Sequence, residues 1–587
     1  VSAVLLGGLA GLLLKGIAAA FLIVFLVVVH ESGHFFAAKL FGVAVPVFSV
    51  GMGARVWGFE RGGTDYRVSA LPVGGYVLLA GADPFGEEDP EAGIPPEQSF
   101  MHKPVWQRLI IMSAGPVSNL VLPVLLFTAV LMAGEPQVAP NLGLVVPGTL
   151  AAGTLQPGDQ VLAVDDRVVD VWNDLTDALK GEGERHAWRI RRGDETLTVD
   201  LPTPRNREGG VDWVKLGIGP SRMSAVIGVD DPRSPAAVAG LRTGDRIVEV
   251  DGVAVPDREA LMAALTATSG HDVVYERLGF SNPTKPERCA TGDDDEDGLV
   301  DCADPDCEAT CAASGKPHEL PRVQARLEIA ADYLPDSSVW ANPWGIAPSG
   351  VFCGGTVAGQ AAEASGLARG DRFLSLNGQE VRTFEQFVSL TVDSLKDGQP
   401  QPLTVGVRRA GEVLSFTMMP KVQVVAGEAY SRPVIGAYGW SDGWLNAEFV
   451  PKYYGFVPAV ERAVWETGMV IKGTAALLGN MFVARANPAT TVGGPVAIFT
   501  QAADVAEQGL FPYMRLLGMI SVSLGLINLL PVPVFDGGQI LFYLFEAIRG
   551  RPLSLAIRER IQMVGVLGLV VVFLLVTAND ISRRFGS

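Results

Sequence analysis

His30-Glu31-Ser32-Gly33-His34 closes an apolar run that begins at Gly7 and carries one charge, Lys15. Helical residues four apart share a face, with β-carbons about 5–6 Å apart. Both imidazoles then point the same way and can hold one tetrahedral zinc, with Glu31 beside them as general base. The motif stands where a membrane span is expected. A charged group at bilayer depth costs on the order of 3 kcal/mol, and a bound metal offsets such a cost. The plainer reading is a chance match at the polar end of a signal peptide or anchor. Against it, the run has no basic start and no small-residue cleavage site followed by polar sequence. It continues instead as Phe35-Phe36-Ala37-Ala38-Lys39, so we read it as a retained span.

The 587 residues are too many for one domain. A hydrophobic content of 48% and a mean hydropathy of +0.28 indicate a membrane protein with soluble parts. The formal net charge of -18 offers no footprint for nucleic acid. Residues 109–133, 514–533 and the shorter 561–577 are apolar enough to cross a bilayer. The stretch 464–483 contains Glu466, Lys472 and Asn480, and reads as an amphipathic helix on the membrane or against the spans. Between the first two spans, Arg55-Val56-Trp57-Gly58-Phe59-Glu60 and Asp65-Tyr66-Arg67-Val68-Ser69 flank Gly62-Gly63, the pattern of a β-hairpin.

The soluble section repeats itself. Gly158-Asp159, Gly244-Asp245 and Gly370-Asp371 each precede an alternating strand and a second turn, at Asp165, Asp251-Gly252 and Asn377-Gly378. The second and third copies follow Ala-rich turns ending Ala239-Gly240-Leu241 and Ser365-Gly366-Leu367. These repeats resemble PDZ domains, which bind extended peptide by adding a strand to a sheet edge. An insertion interrupts the second copy. There, Asp293, Asp295, Asp297, Gly298, Asp301 and Asp304 fall at positions 1, 3, 5, 6, 9 and 12 of an EF-hand-type loop. Position 12 is Asp rather than Glu, and no amphipathic helices flank the loop. It therefore reads either as a short extracellular calcium repeat, binding Ca2+, or as a solvated acidic loop stapled by disulfides. Cys289, Cys302, Cys307 and Cys311 are the disulfide candidates, with three pairings open; Cys353 is left over as a buried thiol. Disulfides belong to oxidising compartments, so the repeats are expected outside the cytoplasm. Four spans then put both ends of the chain outside too. Arg549, Arg551, Arg558 and Arg560 fall in a cytoplasmic loop, as the positive-inside rule asks.

A zinc site needs a third protein ligand and an open position. His102, His186, His271 and His318 lie outside the apolar segments. Asp536 is better placed, in Asn528-Leu529-Leu530-Pro531-Val532-Pro533-Val534-Phe535-Asp536-Gly537-Gly538, where two prolines break the third span. Taken alone, Asp536 could equally cap the following helix; beside His30 and His34 the ligand reading prevails.

With these motifs the chain resembles the site-2 proteases, in particular the bacterial regulator-of-sigma-E type, intramembrane zinc metalloproteases with periplasmic PDZ domains that cleave anti-sigma factors. The resemblance rests on His30-Glu31-Ser32-Gly33-His34, Gly51-Met52-Gly53 with its hairpin, Ala114-Gly115-Pro116-Val117-Ser118-Asn119, the PDZ pair, Gly493-Gly494-Pro495 and the Asn528–Gly538 run. It implies His30, His34 and Asp536 as zinc ligands and Glu31 as the catalytic carboxylate. It implies Asn528 as a substrate-contacting or oxyanion-stabilising residue, and a substrate-binding role for Gly51, Gly53, Pro531 and Pro533. Phe535 departs from the usual Leu; the third repeat and the cysteine-rich insertion are larger departures.

The expected architecture is a multi-domain membrane protein. An α-helical core of about four spans, with a membrane-associated β-hairpin, carries α/β PDZ-like soluble domains. Residues 1–135 hold spans one and two, 136–222 the first PDZ-like domain and 223–335 the second, with its insertion at 279–320. Residues 336–425 form the third, 426–510 a linker and surface helix, and 511–587 spans three and four. The expected activity is cleavage of a single-pass membrane protein within its membrane helix, after a first cut by a site-1 protease. The setting is a bacterial inner membrane, with the site opening to the cytoplasm. The PDZ grooves could bind peptide C-termini, act as a size filter, or serve as spacers. Clearance of remnant signal peptides by the same site, and a non-catalytic PDZ scaffold, are the competing readings. Retention of Glu31 with Asp536 argues against the scaffold.

Overall fold

The computed structural model describes residues 2–81, 94–180, 183–206, 209–265, 270–277, 322–330, 332–338, 340–396, 399–424, 431–440, 445–482, 495–551 and 553–585. The calcium and disulfide candidates of the insertion, and Gly493-Gly494, lie outside these residues. Two compact units result. One comprises Val1–Glu135, Val424–Ser431 and Tyr453–Ser587, the other Pro136–Gln423 and Arg432–Lys452.

In the first unit, among the described residues, four helices are long and apolar enough to cross a membrane: Lys15–Leu40, Val105–Ala133, Leu510–Asn528 and Ala556–Ala578. At 1.5 Å per residue the third, of 19 residues, reaches about 28 Å, just enough for a hydrocarbon core of about 30 Å. The first and third spans pack through Leu22 and Leu26 against Leu516 and Leu517, all buried. The amphipathic helix, Phe456–Phe482, lies against the second span, its Ala459 and Ala463 packed on Phe127 and Leu131. Arg515 of the third span bonds both Glu466 of that helix and Glu135.

The hairpin is longer than its sequence signature and folds back on itself. Strands Val47–Arg61 and Thr64–Leu78 meet at Gly62-Gly63. Val47 pairs with both Asp65 and Leu78, and Val50 with both Val68 and Gly75, while Trp57 pairs with Val68. The ribbon therefore has four segments in the order 75–78, 47–50, 65–68, 57–61. Gly51, Gly53, Pro72 and Gly74 read as strand breakers in sequence. The glycines lie between the paired segments at positive φ, both Gly51 and Gly53 at 89°. Segment 57–61 pairs on one side only among the described residues, and Trp57, with Val56 just before it, is 65% and 70% exposed.

Among the described residues, the second unit holds three four-stranded antiparallel sheets of one design. Their central strands are Gln160–Val164 with Arg185–Arg192, Asp245–Val250 with His271–Arg277, and Arg372–Leu376 with Leu403–Arg409. Each has its own core, built around Trp188, around Tyr275 and Trp344, and around Phe373 and Phe387. The repeated Gly-Asp now has a physical reason. Gly158, Gly244 and Gly370 take φ of 89°, 98° and 85°, open to glycine at little cost. The aspartates after them are all 1% exposed. Each meets an arginine of the neighbouring strand: Asp159 with Arg192 at 2.7 Å, Asp245 with Arg277 at 2.9 Å, Asp371 with Arg409 at 2.5 Å. Each also accepts the main-chain N–H three residues back, closing the turn.

A short ribbon completes every repeat: Leu144–Val145 with Ile218–Gly219, Ile227–Gly228 with Ala347–Pro348, and Cys353–Thr356 with Ala437–Gly439. The second repeat thus reaches past residue 335 and the third past 425, because these two- and three-residue closing strands are too short to carry a period-2 pattern. Buried and partly buried ion pairs clamp the second repeat to the third. Arg372 meets Asp230 and Asp336, and Arg408 meets Asp231 and Asp336. Cys353 is a free, fully buried thiol, as expected.

Candidate active site

Helical periodicity brings His30 and His34 onto one face of the first span, as the spacing requires. Their Nε2 atoms are 3.2 Å apart. Asp536, about five hundred residues later, places Oδ2 3.0 Å from Nε2 of His30 and 3.5 Å from Nε2 of His34. Both histidines are buried, at 7% and 6% exposure. A tetrahedral zinc with ligand bonds of about 2.0–2.1 Å has donor–donor edges of about 3.3–3.4 Å. The three observed separations bracket that edge, and two imidazoles with one carboxylate are a catalytic zinc donor set. Among the described residues this is the one cluster of three or more His, Cys, Asp or Glu groups that could hold a metal.

The surrounding sequence explains how the cluster assembles. Gly115 of the second span faces His34: a Cβ there would lie 2.2 Å from Nε2. Gly33 lets the first span meet the second, where a Cβ would lie 2.3 Å from the Ala114 carbonyl oxygen. Asp536 is the first residue of helix Asp536–Arg549, with Phe535 in the capping position, so it does not serve as the N-cap. Gly537 and Gly538 let the proline turn curl over that helix start. A Cβ at either would lie 2.3 Å from a carbonyl oxygen, of Leu530 or Val532. Pro531 and Pro533 shape that turn, which begins where the third span ends at Asn528.

The other groups fall into two sets. Glu31 lies against the hairpin segment 75–78, where a Cβ at Gly75 would lie 3.5 Å from its Cγ. The side-chain amide of Asn528 comes within 3.4 Å of His30 Nδ1. Gly51 and Gly53 sit at a hairpin bend, and no contact joins them to the histidines.

Sequence reasoning gave no role to three supports. The Ile111 carbonyl lies 2.8 Å from His34 Nδ1 and accepts its N–H. The Asn119 amide lies 3.1 Å from His30 Nδ1. Arg108 forms a two-pronged pair with Glu546, at 2.6 and 3.1 Å, tying the second span to the helix that Asp536 begins. Asn119 was legible as a polar residue inside an apolar span, a signal of function by default. The Ile111 carbonyl had no signature at all.

The model of peptidase family M50 matches residues 18–572. Similar chains include Protease RseP of Yersinia pestis, 27% identical over 566 residues, covering 95% of this chain and 96% of that protein. The Regulator of sigma-E protease RseP of Escherichia coli is 26% identical over 570 residues, with the same coverages. Its counterpart of the same name in Salmonella typhimurium is 26% identical over 574 residues, again covering 95% and 96%. Other relatives carry zinc metalloprotease in their names.

Proposed function

Since the chain belongs to peptidase family M50, the site-2 proteases, we propose that this membrane zinc metalloprotease cuts single-pass proteins within their membrane helices. The observation that carries the reading is the convergence of His30, His34 and Asp536 beside Glu31, on helices apolar enough to span a bilayer.

His30, His34 and Asp536 would hold one zinc through Nε2, Nε2 and Oδ2. Zinc, when bound, acts as a Lewis acid and brings a coordinated water to a pKa of about 7. Glu31 takes the proton of the attacking water and returns it to the leaving amine. The hairpin segment 75–78 packs beside its carboxylate arm and limits how far it can swing. Asn528 faces the substrate and stabilises the developing oxyanion. A substrate helix hides its peptide bonds in its own hydrogen bonds, so it must unwind first. The edge 57–61, paired on one side only among the described residues, offers replacement backbone bonds, the β-augmentation mode of peptide capture. Gly51 and Gly53 set the bend that aims this ribbon, and Pro531 and Pro533, in the turn before Asp536, bind the same substrate segment.

The three repeats are PDZ-like domains outside the cytoplasm, where they bind exposed peptide C-termini or exclude bulky substrates. The substrate class is an anti-sigma-like single-pass protein already trimmed by a site-1 protease, in a bacterial inner membrane with the site open to the cytoplasm. The relatives named for sigma-E regulation support this class. Ca2+ in the insertion, held by Asp293, Asp295, Asp297, Asp301 and Asp304, belongs to the same proposal.

The test is cleavage of a model single-pass substrate lacking its ectodomain, by wild type and Glu31→Gln in detergent, with and without a zinc chelator. Cleavage lost in both arms is expected. Cleavage that survives Glu31→Gln, or properly folded protein without zinc, refutes the reading.

A further inference from the structure

We propose that Asn119 is a positioning residue that fixes the tautomer of His30 and so leaves Asn528 free for the substrate; this rests on the zinc reading above. Two side-chain amides converge on one atom. Asn119 and Asn528 lie 3.1 and 3.4 Å from Nδ1 of His30. Nε2 of the same ring faces Asp536 and His34. A metal-binding imidazole presents a lone pair at one nitrogen and carries its proton on the other, where an acceptor holds it. His34 meets this demand with the Ile111 carbonyl. His30 has no carbonyl or carboxylate on Nδ1 among the described residues, only the two amides.

The oxygen and nitrogen of an amide fill equivalent volumes, so its orientation follows from its partners. With nitrogen towards the ring, Asn119 Oδ1 is a buried acceptor with no partner, in a residue that is fully buried. The ring is then also forced into the tautomer that cannot bind a metal. Turning the amide places Oδ1 on the Nδ1–H and restores the tautomer that can bind a metal, with Nδ2 taking the position that Oδ1 leaves. Asn119 is held for this task. Its main-chain carbonyl accepts the Ser521 hydroxyl at 2.8 Å, pinning it between the second and third spans. Asn528 differs: it is only half-buried, ends the third span and lies beside the proline turn. Its longer contact is the one given up when substrate arrives.

The experiment measures zinc affinity of the full chain in detergent, by competition with a chromogenic chelator, for wild type, Asn119→Leu, Asn119→Asp and Asn528→Leu. Melting curves accompany each variant. Loss of an outer-shell partner typically costs 10–100-fold in metal affinity, so Asn119→Leu is expected to lose about that much. Asn119→Asp can accept but not donate, and is expected to bind zinc at least as tightly as wild type. Asn528→Leu is expected to keep wild-type affinity while losing cleavage. The Asp variant decides the matter even where the Leu variant folds poorly. Weakened zinc binding by Asn119→Asp would show that the amide donates, and overturns the assignment. So does wild-type affinity in Asn119→Leu, or equal losses at Asn119 and Asn528. Wild type that binds no zinc overturns the zinc reading itself rather than the division between the two asparagines.

Discussion

Gly115→Ala adds one methyl group at the tightest point of the site. The new Cβ would lie 2.2 Å from Nε2 of His34 and 2.7 Å from both ring carbons beside it. Ordinary contact begins near 3.4 Å, so the ring or the helix must move by more than 1 Å. The ring has little room to move, because the Ile111 carbonyl holds its far side at 2.8 Å. Metal sites tolerate deviations of about 0.2 Å. A displacement near 1 Å in a catalytic array costs about 100-fold in rate, or roughly 2.7 kcal/mol of activation free energy. Overpacking adds about 1–3 kcal/mol of destabilisation. The assay is cleavage of a single-pass substrate at saturating concentration, with zinc content measured on the same sample. Gly568→Ala is the control, in the fourth span, where a new Cβ meets nothing within 4 Å. Gly115→Ala with wild-type zinc content and turnover would refute the argument that this glycine makes room for the ligand.

Arg277→Met strands Asp245, 1% exposed, without its charge partner. Removing one partner of a buried pair costs about 3–5 kcal/mol; Arg277 is partly exposed, so about 2–3 kcal/mol is expected, read from urea unfolding followed by tryptophan fluorescence. Arg108→Met leaves Glu546 buried and unpaired, and should loosen helix Asp536–Arg549; faster amide hydrogen exchange across that helix and weaker zinc retention are expected, with Glu546→Gln milder because its amide can still accept. Burial pushes the Cys353 thiol from near 9 up to about 12. Its folded form therefore resists ionisation, and this contribution to stability, intact at neutral pH, is lost as pH rises from the unfolded value near 9 towards 12. At pH 8 its thiolate fraction, and hence its alkylation rate in the folded protein, should fall roughly a thousandfold below the urea-unfolded rate, as peptide mapping of labelled Cys353 would reveal.

The four spans, the turn at Gly62-Gly63 and the three Gly-Asp repeats were legible because each rests on a local pattern: apolar length, a glycine pair, a buried turn. The three clustered donors were legible for a different reason. Two stand at a fixed helical spacing, and the third follows two prolines where a span has no business breaking. What escaped was everything decided by distant packing. The arginines that pair with Asp159, Asp245 and Asp371 sit some thirty to forty residues downstream, in strands with many other charges. The ribbon segments 47–50 and 75–78 were hidden because Gly51, Gly53 and Gly74 look like the end of a strand rather than a bend within one. The Ile111 carbonyl is main chain, and no residue type announces it.

The distance along the chain between His30 and Asp536 bears on biosynthesis. The first span and both histidines leave the ribosome early, while the carboxylate that completes the cluster follows about five hundred residues later. At translation rates of about 5–20 residues per second, that interval lasts roughly 25 to 100 s. Throughout it the nascent chain holds an incomplete donor set, beside an inserting lipid environment crowded with other newly made membrane helices. Dividing the site between the two ends of the chain keeps the peptide-cutting machinery unassembled until the last helices have docked.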